Sequence, residues 1–258
     1  MSFSHIPITA YYYGCLMTLA FVFALMLLRF NMKKAGINQE YFIDFALIIA
    51  LSSIVGARIL YILLYPEQFS SIRDYLAIHE GGLVFYGGFL AACTTTIAFA
   101  RWKKIKIAQI LDSIAPSLAL GHAIGRIGCF LNNCCYGAIT NWPRIYCLPN
   151  EQHDIYRHPT QLYESAFLFA LAVFLQLRLH LEYNSSEKRR GKIALLYFSS
   201  YSFFRFLIEF IRGDDRGVFF TPLHLSISQI ISLALLIVSM IFWKKFNDQN
   251  EVRKISHE

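Results

Sequence analysis

Residues 10–28 read AYYYGCLMTLAFVFALMLL and carry no charged side chain. Two more stretches share that property, 81–100 and 225–243. Each has the length that a helix needs to cross a hydrocarbon layer about 30 Å thick. A water-soluble reading would require three long helices, apolar on every side, inside one chain of 258 residues. Composition argues the same way. Charged residues make up only 16% and apolar residues 56%, against roughly 25% charged in soluble domains.

Four further apolar stretches are interrupted by ionisable groups. Residues 41–65 include Asp44 and Arg58, 107–125 include Asp112, 159–177 include Glu164, and 193–211 include Arg205 and Glu209. The expected fold is therefore all-α, a polytopic membrane protein of about seven spans forming one integral membrane domain over 1–258. No repeat, low-complexity tract or soluble domain interrupts it. The first span has no basic stretch before it and no small-residue cleavage site after it, so it reads as a retained helix and not a signal peptide.

Lysine and arginine set the expected orientation. Segments 29–40, 101–106, 178–192 and 244–258 hold 16 of the 24 basic residues, and segments 65–80, 125–158 and 212–222 hold 6. The first group is expected to be cytoplasmic, with the N-terminus outside and the C-terminus inside. The net charge of +7 thus follows membrane topology. It forms no aromatic-interleaved basic patch of the kind that binds single-stranded nucleic acid, and no nucleic-acid partner is expected. Two outer loops, 66–80 and 126–158, stand out. Phe69, Ile72, Tyr75, Leu76 and Ile78 suit one face of a short interfacial helix.

Candidate chemistry is densest in Gly121-His122-Ala123-Ile124-Gly125-Arg126-Ile127-Gly128-Cys129, continuing to Asn133-Cys134-Cys135-Tyr136-Gly137. Its glycines suit a helix-packing seam that unwinds into a loop. Arg126 follows that seam and offers a planar fork of donors matched to phosphate oxygens. Arg205 and Glu209 are spaced i, i+4 and share a face with Tyr201, which Arg212 continues. Charges at such depth are costly and mark function unless they form a structural ion pair. Glu164 lies early in its span, after Pro159, as a base, an orienter for an arginine, or a plain interfacial carboxylate. Tyr86 sits between the pairs Gly81-Gly82 and Gly87-Gly88. Cys129, Cys134 and Cys135 give a C-x4-C-C spacing that matches no common zinc pattern. A metal site, a disulfide involving Cys147 and a redox role all stay open there.

Taken in order, these segments resemble the prolipoprotein diacylglyceryl transferase family. The resemblance runs through Tyr13-Gly14, Gly56-Ala57-Arg58, Gly81-Gly82 to Gly87-Gly88, Asp112 to Pro116, and Gly125-Arg126-Ile127-Gly128. His158-Pro159-Thr160-Gln161-Leu162-Tyr163-Glu164 and Tyr201, Arg205, Glu209 and Arg212 complete it. It implies transfer of a diacylglyceryl group from phosphatidylglycerol to the lipobox cysteine thiol of a prolipoprotein, at the outer side of a bacterial inner membrane, with no metal or soluble cofactor. Arg126, Arg205, Tyr86, Glu209 and Tyr201 are then the expected catalytic set. Tyr13, Gly137, Glu164 and Arg212, with the two arginines, are expected to bind substrate. The chain departs from the commoner family pattern in having Tyr86 where histidine is frequent, and Cys129 and Cys134 where asparagine and glutamate are frequent. Tyrosine is a weak base with an ordinary pKa of about 10, so His79, His122, Glu164 and Glu209 are alternative bases. The rival readings are a lipid-modifying transferase with another donor or acceptor, a non-enzymatic transporter lined by buried charge, and a thiol redox protein.

Overall fold

The computed structural model describes residues 8–69, 71–77, 81–142, 144, 146–148, 155–184, 191–214 and 225–255. Its helices are α1 (Ile8–Lys34), α2 (Glu40–Leu64), α3 (Ile72–Leu76), α4 (Phe85–Trp102), α5 (Ile107–Leu131), α6 (Thr160–Asn184), α7 (Lys192–Ile208) and α8 (Ile227–Ile255). Among the described residues, six helical stretches are long and apolar enough to cross a membrane: 11–34, 40–64, 107–131, 160–183, 192–211 and 227–245. The seventh expected span is α4, an 18-residue helix whose Tyr86, Gly87, Gly88 and Thr94–Thr96 dilute its apolar character.

Burial is inverted relative to a soluble protein. Leu63, Phe85, Leu90, Met26 and Ile241 are exposed, whereas Ser117, Thr160, Gln161, Glu164, Ser165, Ser202, Arg205 and Gln229 are buried. Such a distribution suits a lipid solvent, where apolar side chains face out and polar groups find partners inside.

The chain forms two compact units. In residues 29–110, α2 and α4 pack backbone to backbone. A Cβ on Gly56 would stand 2.6 Å from the carbonyl oxygen of Gly87, and one on Gly88 would stand 2.9 Å from that of Ser53. Only glycine permits that approach. α4 begins at Phe85, four residues later than the apolar run at 81, because Gly81 and Gly82 adopt positive φ. Their carbonyls turn toward Arg58. That guanidinium donates to the carbonyls of Gly81 (2.8 Å), Gly82 (3.1 Å), Tyr75 (3.2 Å) and Asp74 (2.5 Å). It also lies over the Phe69 ring at 5.2 Å. Two of those carbonyls end the single turn of α3, whose start is held by the Ser71–Asp74 capping box. The interfacial helix expected over 66–80 is thus reduced to Ile72–Leu76, preceded by a 3-10 turn at Pro66–Gln68. Ile78 lies outside the described residues. Asp44 pairs with Lys103 at 3.7 Å.

The second unit contains residues 1–28 and 111–258. Its core joins Ala115 and Ala119 of α5, Leu171, Leu175 and Leu179 of α6, and Ile193, Ala194 and Tyr197 of α7. Asp112 accepts the backbone N–H of Ala194 at 2.9 Å and that of Gly191. It therefore satisfies the orphan donors at the start of α7, which gives Asp112 a structural role. The seam of small residues at Gly121, Gly125 and Gly128 faces Ala24, Met17 and Tyr13 of α1.

Candidate functional site

The sequence places the unwinding of α5 near Gly125, but the helix continues to Leu131. Arg126 is therefore held on regular helix, with His122 one turn before it and Cys129 about one turn after. The seam glycines are tolerated because α1 packs over them and offsets their low helix propensity.

Glu164, the fifth residue of α6, is fully buried. Its Oε1 accepts the Tyr201 hydroxyl at 3.0 Å and lies 3.0 Å from Nη2 of Arg126. His122 Nε2 is 3.8 Å away from the same oxygen, and its ring meets Tyr201 edge-on with centroids 5.0 Å apart. Arg205 Nη1 lies 3.9 Å from Oε2 of Glu164, and Arg205 Nη2 pairs with Glu209 at 2.8 Å. One carboxylate thus stands between two guanidiniums from α5 and α7. A buried ion of either sign would be prohibitive alone, so each side of this arrangement requires the other.

The cluster extends outward. α7 ends at Ile208 and a 3-10 turn carries Glu209–Ile211. Glu209 accepts the Ser226 hydroxyl at 2.8 Å and lies 3.9 Å from Arg212. Arg212 forms a two-point pair with Asp214, Nε to Oδ1 at 2.8 Å and Nη2 to Oδ2 at 2.7 Å. Its backbone is fixed by a small strand-like crossing. Gly137 bridges Arg212, and Ala138 N–H donates to the Ile211 carbonyl at 2.9 Å. A Cβ on Gly137 would stand 2.5 Å from that of His158 and 2.8 Å from the Ile211 oxygen, so a larger residue would dislodge this crossing.

The ion pairs do not exhaust the guanidiniums. Nε of Arg126 and Nη1 of Arg205 are buried and have no hydrogen-bond acceptor among the described residues. Each guanidinium carries five N–H groups in a fixed fork. The carboxylates engage only part of each, and the remaining donors suit an added anion with several oxygens.

Of the expected site residues, Arg126, Glu164, Tyr201, Arg205, Glu209 and Arg212 come together in this chain of contacts. Tyr13 packs its ring over Gly128, and Gly137 braces Arg212. Tyr86 belongs to the other unit, half exposed in the first turn of α4 with its ring 5.8 Å from Phe85. His79 lies outside the described residues. Two partners in the cluster carry no expectation from the sequence, Asp214 and Ser226. The Arg-Gly-Asp order at 212–214 is a usable signal for Asp214. Ser226 gave none, being one of several serines in an apolar run.

Beyond the cluster, Cys129, Cys134 and Cys135 bring their sulfurs within 4.8 Å of one another. Hydrogen bonds from Cys129 and Cys134, and then from Arg212, hold the Cys135 thiol well below the ordinary range. No disulfide joins the cysteines among the described residues.

These features define a multi-pass membrane protein with a buried arginine–carboxylate site at the junction of α5, α6 and α7. Its sequence matches the prolipoprotein diacylglyceryl transferase family over residues 1–244. It is 34% identical over 233 residues to the phosphatidylglycerol–prolipoprotein diacylglyceryl transferase of Clostridium tetani, covering 89% of this chain and 90% of that protein. It is 30% identical to the protein of the same name from Finegoldia magna, covering 96% of each. A like-named relative from Oceanobacillus iheyensis is 31% identical over 248 residues. The chain belongs to the prolipoprotein diacylglyceryl transferase family and is accordingly a membrane transferase of lipoprotein biosynthesis.

Proposed function

We propose that this protein transfers the diacylglyceryl group of phosphatidylglycerol to the lipobox cysteine of a prolipoprotein signal peptide, and that Arg126 and Arg205 hold the donor's phosphate. The observation that carries the reading is the pair of buried donors, Arg126 Nε and Arg205 Nη1, that make no hydrogen bond among the described residues. In the reaction, the acceptor thiol loses its proton to solvent and its sulfur forms a bond to the glyceryl carbon. The bond from that carbon to the phosphate oxygen breaks, and glycerol phosphate leaves with the electron pair. A phosphodiester carries one negative charge and the departing monoester approaches two. Two fixed guanidiniums are therefore worth more in the transition state than in the ground state, which is the condition for catalysis.

Glu164 and Tyr201 orient Arg126, and Glu209 orients Arg205. Arg212 closes the outer side. Both substrates are anchored in the bilayer, so the orientation expected from the basic residues places the site toward the outer leaflet of a bacterial inner membrane. α4 serves as the seventh span; its 18 residues rise about 27 Å at 1.5 Å per residue.

The decisive assay supplies purified protein with radiolabelled phosphatidylglycerol and a lipobox peptide. Label is expected on the peptide cysteine, with loss of transfer in Arg126→Ala and Arg205→Ala. Undiminished transfer in both variants would remove the arginines from the mechanism, and absence of transfer by the wild-type protein would remove the activity.

A further inference from the structure

The phosphate chemistry makes no use of the three thiols at the end of α5. Cys129 lies in the final turns of that helix, and Cys134 and Cys135 follow it. The chain reverses there through backbone bonds from Asn133 to Phe130 and from Cys134 to Cys129, both 3.1 Å. Asn133 and Cys135 take positive φ, 51° and 64°. The reversal gathers three side chains that a C-x4-C-C spacing would not otherwise bring together. Two buried residues of α6 clamp it. Gln161 donates to the Cys134 carbonyl at 2.7 Å, and the Thr160 hydroxyl donates to that of Cys135 at 2.9 Å. All three cysteines are partly buried.

We propose that Cys129, Cys134 and Cys135 bind one soft cation of the zinc class and leave its fourth coordination position open to a thiol. Zinc–sulfur bonds of about 2.3 Å in a tetrahedron put sulfurs about 3.8 Å apart. The three Sγ atoms already lie within 4.8 Å of one another, so small side-chain rotations complete the site. A disulfide needs about 2.05 Å between sulfurs and would use two of the three. Three thiolates on a divalent ion carry a net charge of −1. The Arg212 guanidinium, which pairs with Asp214, is also within hydrogen-bonding reach of Cys135 and shares its charge with the site. Three protein ligands with one open position is the arrangement of catalytic zinc, whereas structural zinc is closed by four.

A thiol entering that position is deprotonated by the metal. Its proton leaves to solvent, and the bound sulfur becomes the nucleophile that attacks the glyceryl carbon as described above. This second half rests on the proposed transferase reading, while metal binding does not. It supplies an acceptor thiolate without a general base, in a chain that has Tyr86 where the family resemblance leads one to expect histidine.

The test uses full-length protein purified in detergent under anaerobic, reducing conditions. Elemental analysis is expected to find about one zinc per chain, falling at least tenfold in Cys134→Ser and in Cys135→Ser and unchanged in Cys93→Ser. Cobalt(II) loading of the wild-type protein is expected to give a thiolate charge-transfer band in the near ultraviolet. A lipobox peptide with cysteine is expected to shift the visible cobalt bands, and its serine counterpart to leave them in place. Wild-type protein without stoichiometric zinc or a charge-transfer band overturns the site, as does a stable disulfide within the trio. Equal metal content in the serine variants also overturns it. Cobalt bands unmoved by the cysteine peptide overturn the open position. Phosphatidylglycerol is absent throughout, so failure of the transferase reading registers separately in the label-transfer assay.

Discussion

Arg58 and Arg205 are buried to the same degree, 8% and 6% exposed, yet their surroundings differ in kind. Every nitrogen of the Arg58 guanidinium donates to a backbone carbonyl. Arg205 is flanked by carboxylates and keeps a buried donor without an acceptor among the described residues. Burial alone therefore does not separate these two arginines; the state of their donors does. The sharpest way to break this contrast is to remove each side chain and read transfer and stability together. Arg126→Ala and Arg205→Ala are expected to lower transfer by about 10²–10³-fold, the loss typical of removing one transition-state donor, in protein that still purifies as a monodisperse species. Equal losses of transfer in Arg58→Ala, measured per folded molecule, would erase the distinction.

Arg58→Met is expected to act on stability instead. It strands the carbonyls that end α3 and lead into α4, and an unsatisfied buried carbonyl costs about 1–3 kcal/mol. With partial rescue by water, about 3 kcal/mol of stability is expected to go, visible as a lower thermal midpoint in detergent. Transfer by the remaining folded protein should stay within a few-fold of wild type.

Tyr201→Phe probes the carboxylate that the two arginines share. It removes the hydroxyl donated to Glu164 at 3.0 Å and leaves the ring that meets His122. A hydrogen bond to a charged group is worth about 1.5–3 kcal/mol, so transfer should fall roughly tenfold or somewhat more. An unchanged rate would show that the ion pairs alone fix Glu164.

The same contrast explains what the sequence could and could not disclose. Charge-free runs of membrane-spanning length expose the fold because lipid leaves little choice but helix. The i, i+4 spacing of Arg205 and Glu209 and the position of Glu164 after Pro159 likewise placed site residues on defined faces. From the sequence Arg58 and Asp44 read as structural and Asp112 stays open, but the partners of Arg58 and Asp112 are not legible, because they are backbone groups, which have no signature in side-chain identity. α5 runs past Gly125 to Leu131 because the packing of α1 offsets the low helix propensity of its glycines, and that packing is not visible in local sequence. The convergence of the three thiols depends on positive φ at Asn133 and Cys135, which spacing does not reveal.

The smallest expected effect comes from Ser226, where one hydroxyl joins both kinds of role. Its oxygen accepts the N–H of Gln229 at 3.2 Å while the Gln229 side chain receives the Ser226 N–H at 3.0 Å, a reciprocal cap at the start of α8. The same hydroxyl donates to Glu209 at 2.8 Å. Ser226→Ala removes both and is expected to cost about 1 kcal/mol of stability with a loss of transfer of only a few-fold. Ser226→Thr keeps both functions and should restore both readouts. Ser226→Asp separates them, because aspartate is as good a cap but sets a second carboxylate against Glu209. Thermal midpoints near wild type with transfer below that of Ser226→Ala would show that the hydroxyl serves Arg205 through Glu209. If transfer instead tracks the thermal midpoint across all three variants, Ser226 belongs with Arg58 among the structural residues, and the catalytic network ends at Glu209.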